Sequence, residues 1–498
     1  MLQISSDEIK KQRKLVITWG VTFLIAFPLL IVLGLLMRLN QGEVFDLGMD
    51  TFYVLMTLHG LGMAGVLYSM AFAALWYLIS TRYAKLNLAT GYVVYFLILL
   101  GVAGLTIATL IGKFGAGWYL LYPLPFKGTF WPGWATGLSI ISLLILGVAW
   151  LVGIIHLIYA LAKEFGGFTN LLGWQYLRKK EVDRELPPIV MITTVSLVPG
   201  VIAFLAGAVF LIMFLMQHLE PSLAFDPLLL KNLIFFFGHT LVNITLYCCI
   251  GWVYALLPEY TGRPWKTDKI VVYSWNATFF FILFAYFHHL YMDFVQPVGF
   301  QYAGQIASYM SAIPATAITM FGVIAQLYHS KVKWGVIPLA FLFGTAGWAI
   351  GGFSAVVDST IAANKVLHNT LWVPAHFHTY MLGGVVLFIL GFLFYLSHTK
   401  EEQEKDKSAK IGLWVFVIAV HSFIAFFYRG GLRSIPRRYA DYKGIPIEKT
   451  HETGVVLAKY ATIFIWLILI ALLIMYMSII IRLMKKKATP QPVSAKNG

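Results

Sequence analysis

The chain has 498 residues, of which 59% are hydrophobic and 12% charged, against about 25% charged in a soluble domain. This composition excludes a soluble enzyme, a disordered chain and a nucleic-acid binder, and the net charge of +15 reads as membrane topology, since Lys and Arg gather in cytoplasmic loops. Cys248 and Cys249 stand side by side in an apolar run, which excludes a disulfide framework, a CxxC metal clip and a CxxCH attachment site.

In chain order, the polar N-terminal stretch shows no cleavage-type signal, so the first apolar segment is expected to be retained. A bilayer span needs roughly 20 apolar residues. Twelve windows qualify: 15–38, 51–80, 88–111, 135–162, 189–217, 229–257, 270–292, 303–328, 335–357, 370–397, 411–428 and 454–481. The sequence therefore predicts an all-α integral membrane protein, a twelve-helix transmembrane bundle forming one domain over 1–498. The longest connections, 163–188 and 429–453, are polar and too short for a soluble domain. An even span count puts both termini on one side. With that side as the cytoplasm, 25 of the 37 Lys and Arg lie inside, as the positive-inside rule asks. Arg429, Arg433, Arg437 and Arg438 then fall in one outer loop and need a separate cause.

Ionisable residues within spans are costly and mark functional sites. Six of the 13 His fall in one outer layer of the predicted bilayer: His59 in span 2, His239 in span 6, His288 and His289 in span 7, and His376 and His378 in span 10. His368 precedes span 10. His156, His218, His329, His398 and His451 lie at span ends or in loops, and His421 stands alone in span 11. These six read as interfacial or hydrogen-bonded residues. Neutral imidazole is a common ligand of iron and copper. Six at one depth divide into a two-His site, a single axial ligand and a three-His site. His376 and His378 are two apart, about 200° around a helix, so they point to opposite faces and could bind two different metals.

The motifs TLHG at 57–60, GWYLLYPLP at 117–125, FGH at 237–239, FHH at 287–289, LHNTLWVPAHFH at 367–378 and IPRRYADY at 435–442 resemble the catalytic subunit I of the haem–copper oxidase superfamily, most nearly its B-type branch. The resemblance runs along essentially the whole chain. It implies that His59 and His378 bind a low-spin haem, that His376 is the proximal ligand of a high-spin haem, and that His239, His288 and His289 hold a non-haem metal, copper or alternatively iron. It implies that Arg437 and Arg438 bind haem propionates, with His368 beside them. A guanidinium fork suits a carboxylate, which would account for the outer arginines. The chain lacks a dicopper cysteine motif and a c-type haem site. The resemblance therefore implies a dicopper or c-haem partner subunit II, a cytochrome c or quinol donor, and a place in a prokaryotic cytoplasmic membrane with the metal sites toward the outside.

The sequence departs from an oxygen reductase of this family at several points. The A and B branches carry a tyrosine four residues after the histidine matching His239; here that residue is Asn243. The C-type alternative, a tyrosine five or six residues before the His pair, meets Leu283 and Ile282. Tyr286 should face away, and Tyr247, eight residues past His239, reaches the pocket only indirectly. The Ser and Thr expected after the span 8 proline read Ala315 and Ile318, the second phenol position in span 6 is Ile250, and the acid expected four before His368 is Asn364. Loss of the phenol fits reduction of nitric oxide to nitrous oxide, the expectation favoured here, with reduction of O2 to water as the alternative. A twelve-span secondary transporter with histidine proton relays would explain the span count but not HFH and PRRY together.

Overall fold

The computed structural model describes residues 4–126, 130–178, 184–443 and 448–485. Among them, twelve helices are long and apolar enough to cross a membrane: α1 (Ser6–Gln41), α2 (Met49–Arg82), α3 (Leu88–Ile111), α4 (Gly133–Phe165), α5 (Pro188–Leu219), α6 (Pro227–Thr261), α7 (Lys269–Leu290), α8 (Gly299–Leu327), α9 (Val336–Ser359), α10 (Trp372–Ser397), α11 (Lys407–Leu432) and α12 (Glu448–Lys485). All twelve predicted spans are recovered, and the all-α expectation holds.

Several helices run past the apolar windows. α1 begins at Ser6, where 15 was expected, because Ser5 and Glu8 form a reciprocal capping box that satisfies orphan N–H groups. α11 begins at Lys407 because the Asp406 side chain accepts from the Ala409 N–H. Asp226 and Asp268 cap α6 and α7 in the same way. Hydropathy reports only the part of a helix that lies in hydrocarbon; the capped polar turns beyond it are invisible to that signal. Of the two long connections, 163–188 contains single helical turns at Phe168–Leu171 and Gln175–Arg178, with 179–183 outside the described residues. In 429–453, residues 444–447 lie outside them as well.

Neighbours in sequence mostly pack as neighbours in space, and α1 also closes against α12. α10 is the central helix. It touches α2, α6, α9, α11 and α12, and 94% of its most apolar window is buried, against 28–78% elsewhere. A helix apolar on every side belongs in such a position. Where α9 crosses α10, Gly347 lies so close that an added Cβ would be 2.0 Å from the Gly383 carbonyl oxygen. Only glycine permits this approach. The contact falls within a π-helical turn over Met381–Val386, the kind of wide turn that often adjoins a functional site.

Candidate metal centres

α10 opens with a regular turn that carries His376 and His378 on opposite sides. The His376 ring points toward α9, with Nδ1 2.9 Å from the Ser354 hydroxyl. The His378 ring points toward α11, stacking on Phe427 at 5.2 Å and meeting Phe423 edge-on at 5.7 Å. His59 on α2 lies against Gly34 of α1 and interacts electrostatically with His378. Gly60 beside it leaves room for the Trp118 side chain, whose Cβ an added Cβ would strike at 2.5 Å.

Hydrogen bonds fix which nitrogen these rings offer. A carbonyl oxygen only accepts. His59 Nδ1 therefore donates to Leu30 O at 2.7 Å, and His378 Nδ1 donates to Pro374 O at 2.7 Å. His376 Nδ1 donates to Ser354 Oγ, whose own hydrogen goes to Gly351 O at 2.8 Å. His288 Nδ1 donates to Ser308 Oγ at 3.0 Å, and that hydroxyl donates to Gly304 O at 2.6 Å. All four rings thus carry the proton on Nδ1 and keep the Nε2 lone pair free, the arrangement that orients metal-ligating histidines. Ser354 and Ser308 were not legible as site residues in the sequence, because a serine in an apolar helix carries no motif of its own.

His239, His288 and His289 come together so that one ring nitrogen from each lies within 4.8 Å of the others. Ring centroids are 5.0 Å apart for His239–His288, 5.4 Å for His239–His289 and 4.2 Å for His288–His289. α7 ends in a 3-10 turn over Tyr286–Leu290. That tighter winding advances successive side chains about 120°, and Phe235 stacks on His289 at 5.0 Å. Three neutral imidazoles at this spacing suit a copper, zinc or iron ion. His376 lies close enough to interact electrostatically with His239 and His288.

Asn243 stands where a phenol was absent from the sequence pattern. Its amide nitrogen is 3.1 Å from His239 Nε2 and 2.9 Å from His239 O. A His239 that gives Nδ1 to a metal carries its proton on Nε2, and the carboxamide then turns its oxygen to that N–H.

At the end of the bundle away from the termini, the backbone bridges Thr370 to Pro436, and the Arg437 N–H donates to Asn369 O at 2.9 Å. Arg437 Nη2 reaches Asn369 Oδ1 at 2.9 Å. Arg438 has φ +71°, a strained value for a residue with a side chain. It lies over the Tyr119 ring at 3.7 Å. Its buried Nε and Nη2 find no hydrogen-bond acceptor among the described residues. Burial and the neighbouring Arg438 push the Arg437 guanidinium down to about 9, with Asp358 opposing. Burial and then Arg437 push His368 down to about 4. This is positive charge short of anionic partners, and it fits carboxylate groups of a bound molecule such as haem propionates.

Tyr286 faces away, as expected. Its ring packs on Phe236 and its hydroxyl donates to Asn232 Oδ1 at 3.4 Å. Ile318 leaves no hydroxyl, but Thr319 one position on does, at 3.0 Å from the Tyr254 hydroxyl. Asn364, in the expected acid position, donates to Asp358 O at 2.7 Å.

The family model described as cytochrome c and quinol oxidase polypeptide I matches residues 14–473. Among curated relatives, cytochrome c oxidase subunit 1 of Cereibacter sphaeroides is 26% identical over 346 residues, 66% of this chain and 56% of that one. Cytochrome c oxidase polypeptide 1 of Halobacterium salinarum is 26% identical over 317 residues, 62% of this chain and 51% of that one. Cytochrome c oxidase subunit 1 of Pecten maximus is 25% identical over 339 residues, 66% of this chain and 68% of that one. The chain thus spans about half the length of the first two. A solved haem–copper terminal oxidase dimer matches with a TM-score of 0.73 at 19% identity, covering 98% of this chain and 86% of that one, which is a likeness of fold. With 14–473 inside one family model, the chain belongs to the cytochrome c and quinol oxidase polypeptide I family, subunit I of the haem–copper oxidases.

Proposed function

We propose that this chain is the catalytic subunit of a respiratory terminal oxidase that reduces O2 to water, taking electrons from cytochrome c or quinol through a partner subunit. The observation that carries the reading is the three-histidine cluster of His239, His288 and His289 with His376 close by. In this reading His59 and His378 hold a low-spin haem, His376 holds a high-spin haem, and the cluster holds copper. When bound, these groups supply the redox chemistry. The chain's own residues do the rest. Leu30 O, Pro374 O, Ser354 and Ser308 lock four imidazoles in the ligating tautomer. Arg437 and Arg438 neutralise propionates. The apolar packing around α10 excludes water. The far-end sites lie on the outer side of the membrane, both termini on the cytoplasmic side, and 1–498 acts as one domain.

The relatives named above are cytochrome c oxidases, which supports O2 over the nitric oxide expectation drawn from the sequence. Asn243 keeps that second reading alive: an amide beside His239 cannot give up a hydrogen atom as a phenol can, and joining two NO into N2O needs two electrons and no side-chain radical. The deciding experiment is gas turnover by the reduced holoenzyme. The O2 reading expects fast O2 consumption and negligible N2O; fast N2O formation with slow O2 uptake reverses the assignment.

A further inference from the structure

A furrow of about 780 Å³ opens on the flank of the bundle between α9 and α11, within the range of about 300–1,000 Å³ usual for ligand clefts. Both helices begin at the end that carries the chain termini, α9 at Val336 and α11 at Lys407, and α10 packs against both. The furrow is basic at that end and apolar below it. Lys407 and Lys410 stand one turn apart at the mouth, and Ile411 follows. Trp414 comes seven residues past Lys407, roughly 10 Å deeper along the axis. Leu339, Leu342 and Phe343 line the α9 wall. The Phe343 and Trp414 rings meet edge-on at 4.7 Å and close the deep end. Ile411 is 61% and Trp414 47% exposed, so the chain itself leaves them to be covered from outside.

Apolar exposure alone asks for lipid of any kind, and many side chains on the flanks of this bundle show it. The charge at the mouth is more selective. The acids of the segment just before α11 are all engaged. Glu404 pairs with Lys333 at 3.6 Å, Glu401 with Lys405 at 2.5 Å and Glu402 with Arg482 at 2.9 Å. Asp406 caps α11 and accepts from the Ser408 and Ser478 hydroxyls. Lys407 and Lys410 are left with no acid partner among the described residues. At positions i and i+3 of a helix their Cβ atoms are about 5–6 Å apart, so two ammonium groups can flank one phosphate. The positive ends of the α9 and α11 dipoles face the same way. Trp334, just ahead of α9 and also at the furrow, supplies the indole that suits headgroup depth.

We propose that this furrow binds an anionic phospholipid from the leaflet at the terminal end. The phosphate sits between Lys407 and Lys410, and one acyl chain runs along Ile411, Leu342 and Trp414. The inference rests on the bundle spanning a bilayer and not on the choice between O2 and NO. A lipid held there fills the gap between α9 and α11, the two helices that also pack on the His376–His378 turn of α10.

The test uses the purified holoenzyme in phosphatidylcholine vesicles doped with phosphatidylglycerol carrying a diazirine in one acyl chain, or with the matching phosphatidylcholine probe. After photolysis, peptide mass spectrometry compares labelling of 339–343 and 411–414 with that of Leu100 on α3, which is 58% exposed and stands for ordinary lipid contact. The phosphatidylglycerol probe should label the furrow in excess over the phosphatidylcholine probe, and unlabelled phosphatidylglycerol should displace it. One lysine near an anionic headgroup is worth about 5-fold in affinity, so Lys407→Gln and Lys410→Gln should each weaken that displacement about 5-fold and the double variant about 25-fold, with the haem spectrum unchanged. Leu342→Trp, which fills the furrow from its wall, should abolish the excess with both lysines in place. Equal labelling by the two probes, or an undiminished excess in the double variant, would overturn the site. A furrow labelled by neither probe while Leu100 is labelled would overturn it too, since a helix of a partner subunit would then be the occupant.

Discussion

Ser354→Ala isolates what a single hydroxyl contributes to the His376 site. Ser354 is 4% exposed, accepts from His376 Nδ1 at 2.9 Å and passes its own hydrogen to Gly351 O at 2.8 Å. Alanine removes one oxygen and leaves the helix intact. The His376 Nδ1–H then has no partner in a dry site, a penalty of about 1–3 kcal/mol, or roughly 5- to 150-fold in an equilibrium constant. The ring is also free to rotate, and its Nε2 becomes a weaker donor because nothing pulls on the Nδ1 proton. Two measurements read this: the iron–histidine stretching band of the reduced high-spin haem, expected to shift to lower frequency and broaden, and retention of that haem through a chelating or detergent wash, expected to fall. Ser354→Thr restores the hydroxyl and should restore both. An unchanged stretching band with full haem retention in Ser354→Ala would refute the argument that this hydroxyl sets the tautomer and orientation of His376.

The other expectations follow the same geometry. His59→Ala and His378→Ala should each abolish the bis-histidine low-spin spectrum while leaving the chain in the membrane; persistence of the signal in both would contradict the assignment. Alanine at His239, His288 or His289 should each remove the non-haem metal with both haems retained, since the three nitrogens lie within 4.8 Å of one another; metal analysis at full occupancy in all three would remove the site. Asn243→Leu keeps the volume near His239 but deletes the 3.1 Å contact, and should weaken metal retention or turnover by roughly 10- to 100-fold, read by metal content and gas kinetics together. At the terminal end, burial raises the Asp406 carboxyl, but the Ala409 N–H and the Ser478 and Ser408 hydroxyls outweigh it, with His398 helping, and hold its pKa below the usual value. A depressed acid pKa stabilises the fold above the unfolded value and loses that contribution as pH falls through the folded one. Asp406→Asn should therefore lower the thermal midpoint at neutral pH and flatten its decline below about pH 4; identical acid limbs in the two proteins would count against this.

The hydropathy pattern determined the span count, the all-α class and the layer in which six histidines lie, because a bilayer forces each span to satisfy its backbone alone and leaves apolar length as a direct signal. The motifs LHNTLWVPAHFH and IPRRYADY named ligand candidates through the family resemblance they carry, although the residues that must meet, such as His59 and His378 or His239 and His288, are far apart in sequence. Helix ends were missed at α1 and α11, where capping by Ser5 and Asp406 extends the helix beyond hydrocarbon. The sequence also could not decide which imidazole nitrogen is free. That choice depends on Leu30 O, Ser354 and Ser308, on other helices or remote positions of the chain, whose serines and carbonyls look like any others until the helices pack. Thr319, one residue past the aligned Ile318, takes up the Tyr254 hydroxyl: adjacent helix positions point about 100° apart, and only the tertiary contact selects which one meets the partner.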